Sequence, residues 1–145
     1  MGGRGPPIPR LPLKLVFDAS MTIQTAGRER GFDDFARHEL SGPPIMWSEG
    51  RSAIHEMLWR GEITAEDAER TRVELERCPV KMRTPARLGD VAWQIAEELG
   101  WYKTYDAEYL ALARLSNARV ITLDGRLYRG ARRSGLVITP ADLAL

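Results

Sequence analysis

The chain has 145 residues, 43% hydrophobic and 28% charged, with a formal net charge of +1. That is the composition of one ordinary globular domain, long enough for a real core, with no global charge that would advertise a polyanion partner. Cys78 is the only cysteine, which excludes an intramolecular disulfide and fits a reducing compartment.

The N-terminal stretch MGGRGPPIPRLPL holds no long apolar run, so it reads as neither a signal peptide nor a membrane span. Gly2 follows Met1, but Pro6 stands where myristoylation needs Ser or Thr. Residues 1–12 are expected to form a flexible tail, residues 13–145 a single domain, and the protein to be cytoplasmic. Leu13, Leu15, Val16 and Phe17 predict a first strand, and Asp18 ends it. Residues 31–40, GFDDFARHEL, predict a helix with Phe32, Phe35, Ala36 and Leu40 on one side, before Gly42, Pro43 and Pro44 break the chain.

A second helix is predicted over 45–60, with Met46, Ala53, Ile54, Met57 and Leu58 inward and Glu49 in its first turns. Gly50 follows Glu49 and should loosen that turn. Thr64, with Asp67 three residues on, resembles a capping box for a charged surface helix over 65–77. Val80 and Met82 suggest a short strand. Thr84-Pro85 reads as a cap followed by Pro at the first helical position, opening an amphipathic helix through Leu88, Val91, Ala92, Ile95, Ala96 and Leu99.

The stretch 104–127 predicts an acid-led buried helix, a break at Asn117, a strand at Val120, Ile121 and Leu123, and a turn at Asp124-Gly125. Taken alone, Asp106 is a helix cap and Asp124 a turn residue. A basic helix over 126–133 carries Arg126, Arg129, Arg132 and Arg133, and Leu136 to Ile138 form a last strand. Short apolar strands alternating with helices predict an α/β sandwich around a mostly parallel sheet.

Several chemistries drop out. His55 and Glu56 begin an HExxH pattern, but Trp59 occupies the second His position. No nucleophile elbow, P-loop or dinucleotide fingerprint is present, and Asp18 has no second acid two residues on. Carboxylate chemistry remains. Asp18, Glu49, Asp106 and Asp124 are spread along the chain, and a folded sheet can bring them to one edge. Four hard oxygen donors suit Mg²⁺ or Mn²⁺ rather than zinc.

LVFDAS at 15–20, WSEGRSAI at 47–54, TYDAEYLALA at 104–113 and ITLDGRL at 121–127 occur in an order and at spacings that resemble PIN-domain ribonucleases, in particular VapC toxins of toxin–antitoxin pairs. With GEITAEDAE at 61–69, the resemblance covers nearly everything after residue 12. It implies a Rossmann-like three-layer α/β/α fold. It also implies that Asp18, Glu49, Asp106 and Asp124 form an acidic quartet that holds Mg²⁺ or Mn²⁺ and activates water to cleave single-stranded or looped RNA. Ser20 and Thr122 match hydroxyl positions beside such quartets, and strand-end hydrogen bonds explain them equally well. The resemblance further implies a homodimer silenced by a small VapB-type antitoxin. Arg126 and Arg129 are placed to track an RNA backbone, or else belong to a solvated helix face. Two other readings stay open: a PIN fold that binds RNA or a partner without cutting, and a metal-dependent DNA nuclease.

Overall fold

The computed structural model describes residues 12–143, so the predicted N-terminal tail lies, apart from Pro12, outside the described residues. In chain order the elements are β1 (Lys14–Phe17), α1 (Ala19–Ala26), β2 (Glu39–Gly42), α2 (Ile45–Trp59), α3 (Ala65–Arg77), β3 (Lys81–Met82), α4 (Leu88–Leu99), α5 (Tyr105–Ser116), β4 (Arg119–Ile121), α6 (Gly125–Ala131) and β5 (Val137–Ile138). Single 3₁₀ turns lie at Asp33–Phe35, Arg132–Ser134 and Pro140–Leu143.

The five strands form one sheet in the order β3-β2-β1-β4-β5, and every pairing is parallel. β1 sits at the centre, with Leu15 opposite Leu40 on one side and Val16 opposite Val120 on the other. Leu15, Val16 and Phe17 are fully buried, as expected of a parallel strand covered on both faces. The chain winds outward from β1 to β3, then returns to β4 on the other side of β1. The order therefore reverses between β1 and β4, where sheets of this kind bind ligands at the carboxyl ends of the strands.

α5 packs on β1 and β4 and pairs with α4, whereas α1, α2 and α3 pack on one another. This is the expected α/β/α sandwich. α5 is buried on nearly all sides through Ala107, Tyr109, Leu110, Ala111, Leu112 and Ala113, and Asn117 ends it in the left-handed conformation at φ 53°. Thr64 caps α3 by accepting from Asp67 N at 3.0 Å. No helix among the described residues is long and apolar enough to cross a membrane.

Four local expectations are corrected. Residues 31–40 are not a helix: a 3₁₀ turn covers Asp33–Phe35, and Glu39–Gly42 form β2. Phe32 and Phe35 do face one way, but as separate plugs against Phe17, with ring centroids at 5.9 and 5.0 Å. Leu40 and Ser41 instead complete the ladder beside β1, so tertiary pairing overrides a weak local period. The helix expected from Pro85 begins at Leu88, because Pro85 closes a turn whose carbonyl accepts from Leu88 N at 3.0 Å. The helix expected over 126–133 breaks at Ala131 into a 3₁₀ turn that Gly135 closes at φ 71°. Gly50 does not loosen α2, which runs unbroken from Ile45 to Trp59. A Cβ at Gly50 would meet Leu75 Cδ2 at 3.1 Å, so the glycine makes room for the close crossing of α2 and α3.

Candidate active site

β1 and β4 end side by side, and one hydroxyl ties their ends together. Thr122, just past β4, donates from Oγ1 to Asp18 Oδ2, just past β1, and the same oxygen accepts from Asp124 N at 2.9 Å. Asp18 Oδ1 accepts from Ser20 Oγ at 2.8 Å and from Met21 N at 2.9 Å, which makes Asp18 the N-cap of α1. Ser20 Oγ in turn accepts from Leu123 N at 3.3 Å. Asp124 caps α6, accepting from Arg126 N at 2.9 Å and Leu127 N at 3.4 Å. Asp18 and Asp124, the second of which reads locally as a turn residue, are thus both helix caps, and the caps fix both carboxylates at the sheet edge. Asp18 is 4% exposed. Burial raises its pKa although three donors oppose the shift, and the nearby Asp124 charge adds to it.

The other two acids arrive on helices. Glu49 lies in the second turn of α2, half-buried, and Oε1 accepts from the phenol of Tyr109 on α5. Burial raises the Glu49 pKa, the Tyr109 hydrogen bond holds it down, and the charges of Asp106, Asp18 and Glu108 push it up again. The Tyr109 phenol, buried and facing these carboxylates, is held well above its ordinary range. Asp106 is not the cap of α5: Thr104 takes that position, and Asp106 is the second helical residue. No hydrogen-bond donor among the described residues reaches its carboxylate. Its surface is accessible, yet the protein around it desolvates the carboxyl and raises its pKa. Asp124 adds to the rise and Arg126 opposes it.

Charge links the four acids: Asp124 acts on Asp18 and on Asp106, and Asp18 and Asp106 act on Glu49. Glu49, Asp106 and Asp124 line a cleft of about 560 Å³ together with Trp101, Tyr102, Lys103, Tyr105 and Arg126. Arg129 does not line it; its guanidinium turns back over Gly125, 2.9 Å from where a Cβ would stand. Arg133 lies further along, past the end of α6.

The sequence reading counted Tyr109 only as part of a buried apolar run. Two signals could have revealed its second role. It stands one turn after Asp106 on the same helix, and a buried phenol needs a hydrogen-bond partner.

As a donor set the site fits a hard divalent cation. Asp106 keeps both oxygens open, Glu49 keeps Oε2, and all are carboxylates with no thiol or imidazole among them. Among the described residues, no three acidic, histidine or cysteine side chains stand close enough together to make a ready metal cage. The fit therefore rests on donor chemistry and shared charge.

Two solved structures share this fold, each at 20% identity. One is PAE2754 from Pyrobaculum aerophilum, with a TM-score of 0.67 over 92% of this chain and 95% of that one. The other is a chain of a toxin–antitoxin complex from Klebsiella pneumoniae, with a TM-score of 0.58 over 87% of this chain and 97% of that one. No curated protein sequence matches. The PIN domain family matches residues 15–133, which run from β1 to the turn after α6 and take in four of the five strands, and the chain belongs to that family.

Proposed function

We propose that this chain is a Mg²⁺- or Mn²⁺-dependent endoribonuclease of the VapC toxin type. In this reading it acts in the cytoplasm as a homodimer, and a small VapB-type antitoxin silences it by reaching into the acidic cleft. The observation that carries the reading is the gathering of Asp18, Glu49, Asp106 and Asp124, from four separate segments, at the switch-point edge of the sheet. Membership of the PIN domain family, whose members are generally nucleases, supports hydrolysis of a phosphodiester. The likeness to a chain of a toxin–antitoxin complex is what favours an antitoxin as partner.

A bound divalent ion would lower the pKa of a water molecule and offset charge on the phosphate. Asp106 and Glu49 have the open oxygens to hold it, beside Asp124 and Asp18. Thr122, Ser20 and Met21 N fix the direction of the Asp18 carboxylate before any ligand arrives, which lowers the entropy lost on binding. Tyr109 holds Oε1 of Glu49 and leaves Oε2 without a donor, and an ionised carboxylate with a raised pKa is a capable proton acceptor. Arg126 supplies a positive charge beside Asp106 for a phosphate of the strand.

The test is cleavage of a mixed-sequence RNA, and of DNA of the same sequence, by the full chain. The expected result is RNA cleavage with Mg²⁺ or Mn²⁺, none with EDTA and none with Asp106→Asn. Cleavage in excess chelator would sink the metal mechanism. RNA bound but never cut would favour the non-catalytic reading, and DNA cut in preference to RNA would favour a DNA nuclease.

A further inference from the structure

The cleft that holds Glu49, Asp106 and Asp124 is also lined by exposed aromatic side chains. Tyr102 is 92% exposed and Tyr105 57% exposed, and both line the cleft that holds Asp106 and Asp124. Exposed apolar side chains gathered in one cleft, unlike scattered ones, mark a surface that takes a ligand or partner. The loop that carries Tyr102 is anchored at its base. Gly100 ends α4 in the left-handed conformation at φ 70°, and Trp101 N donates to the Ala96 carbonyl at 2.8 Å. The Trp101 ring lies against α6, 3.3 Å from where a Cβ on Gly130 would stand. Tyr102 therefore projects from a fixed base. Tyr105 opens α5 one residue before Asp106, and it also borders a shallow groove along α2 through Glu49, Ser52 and Glu56. Two cations line the same cleft: Lys103 Nζ stands 5.4 Å from the Tyr102 ring centroid, and Arg126 is near enough to Asp106 for its charge to act there.

We propose that Tyr102 and Tyr105 form a stacking platform for unpaired bases next to the phosphate at the acidic site, with Lys103 and Arg126 taking the neighbouring phosphates. The proposal rests on the nuclease reading and deepens it, because it names the side chains of this chain that hold the unpaired bases of a single-stranded or looped RNA. The chemistry is that of strand-binding surfaces in general. Every base has a π-face, so an aromatic platform holds unpaired bases without reading their identity, and cations beside it track the backbone. A duplex keeps its bases stacked inside and has none to offer. The acids alone would repel a polyanion, and the aromatic side chains supply attraction that charge does not.

The experiment uses the full chain carrying Asp106→Asn, so that RNA is bound and not cut. The probes are a 12-nucleotide single-stranded RNA carrying one 2-aminopurine and the same sequence as a duplex. Stacking of the fluorescent base quenches it. Binding should quench the single strand, and Tyr102→Ala and Tyr105→Ala should each lose the quench and weaken single-strand binding by roughly 5- to 150-fold, the range of one lost base–aromatic stack. Tyr102→Phe and Tyr105→Phe should keep both, since a phenyl ring stacks as a phenol does. Lys103→Ala should leave the quench and lower the slope of log affinity against log salt by about 0.7. Both tyrosines are exposed, so melting points of the variants should match that of the Asp106→Asn parent. Single-strand affinity within twofold of that parent in both Ala variants, or an equal loss on the duplex, would overturn the platform and leave these tyrosines to a protein partner. With Asp106 restored, the two readings separate. RNA cleavage with normal rates in both Ala variants sinks the platform alone. No cleavage by the unaltered chain, with the quench still lost in the Ala variants, sinks the nuclease reading alone.

Discussion

The two sides of the acidic cleft are built on opposite plans. At the strand side, Asp18 is buried and held by three hydrogen bonds, one of them from a hydroxyl on the neighbouring strand end. At the helix side, Asp106 is accessible and held by none, and Glu49 is held through one oxygen by Tyr109. The first plan lowers the freedom of a charge before a ligand arrives. The second leaves charges exposed to one another, so that a cation or a partner's basic side chain gains most there. One site thus combines a rigid carboxylate with adaptable ones, and the same chemical change should act with opposite sign on the two sides.

That contrast gives the largest expected effect. Asp18→Asn and Asp106→Asn should each lower cleavage more than about 100-fold, since even residues behind metal ligands cost 10- to 100-fold. Their stabilities should diverge. Asn at 18 offers one acceptor oxygen and an NH₂ where three donors converge, leaving a buried donor unpaired at about 1–3 kcal/mol, partly offset by removal of the buried charge. Asn at 106 loses no hydrogen bond and removes a like charge, a gain of about 1 kcal/mol after solvent screening. Metal-free thermal melts should therefore place Asp106→Asn a few degrees above the parent and Asp18→Asn below it. Equal shifts of the same sign would end the distinction between the two sides.

Thr122→Val attacks the strand side without touching an acid. Its hydroxyl serves Asp18 and Asp124 N together, so its loss strands an acceptor and a donor at a buried position. Activity should fall about 10- to 100-fold and stability by about 1–3 kcal/mol, with Thr122→Ser recovering much of both. If Val is neutral in melts and in cleavage, the lacing is incidental.

The helix side has a signature in pH. Burial and neighbouring acids raise the Asp106 pKa in the folded chain. Between the ordinary carboxylate range and that raised value, the folded state keeps a proton that the unfolded chain has released. Stability therefore falls as pH rises through that window. In EDTA, the melting-point gain of Asp106→Asn over the parent should be near zero where both are neutral and grow as pH rises toward 7. A gain that does not change with pH would mean that the Asp106 charge is not what the variant relieves. Tyr109→Phe is the smallest of these changes. Glu49 loses the one hydrogen bond that holds its pKa down, so the acidic limb of the cleavage profile should move to higher pH. Stability should fall by about 1 kcal/mol. An unmoved limb would assign that limb to another group.

How legible the molecule was depends on the range of the signal. The short strands around 14–17 and 119–121, the buried helix after Asp106 and the stop at Asn117 are written in runs a few residues long, although β4 ends at Ile121 and leaves Leu123, expected in that strand, outside it. Burial pattern and cap chemistry act at that range, so residue order alone reveals them. The placement of Asp18 and Asp124 was legible for a related reason: an acid soon after an apolar strand lies at the sheet edge wherever the strand goes.

Other features had no local trace. The stretch 31–40 carries a helical period, yet Leu40 pairs with Leu15, and only a partner strand decides that. Thr122 meets Asp18 across 104 residues, and Tyr109 meets Glu49 across 60. Gly50 looked like a weak point in a helix until Leu75 filled the space above it. Sequence determined which residues carry charge, which segments fold locally and which acids stand at strand or helix ends. Tertiary structure alone decided which of those acids is locked and which is left open, because hydrogen bonds and burial belong to pairs that meet only after the sheet has assembled.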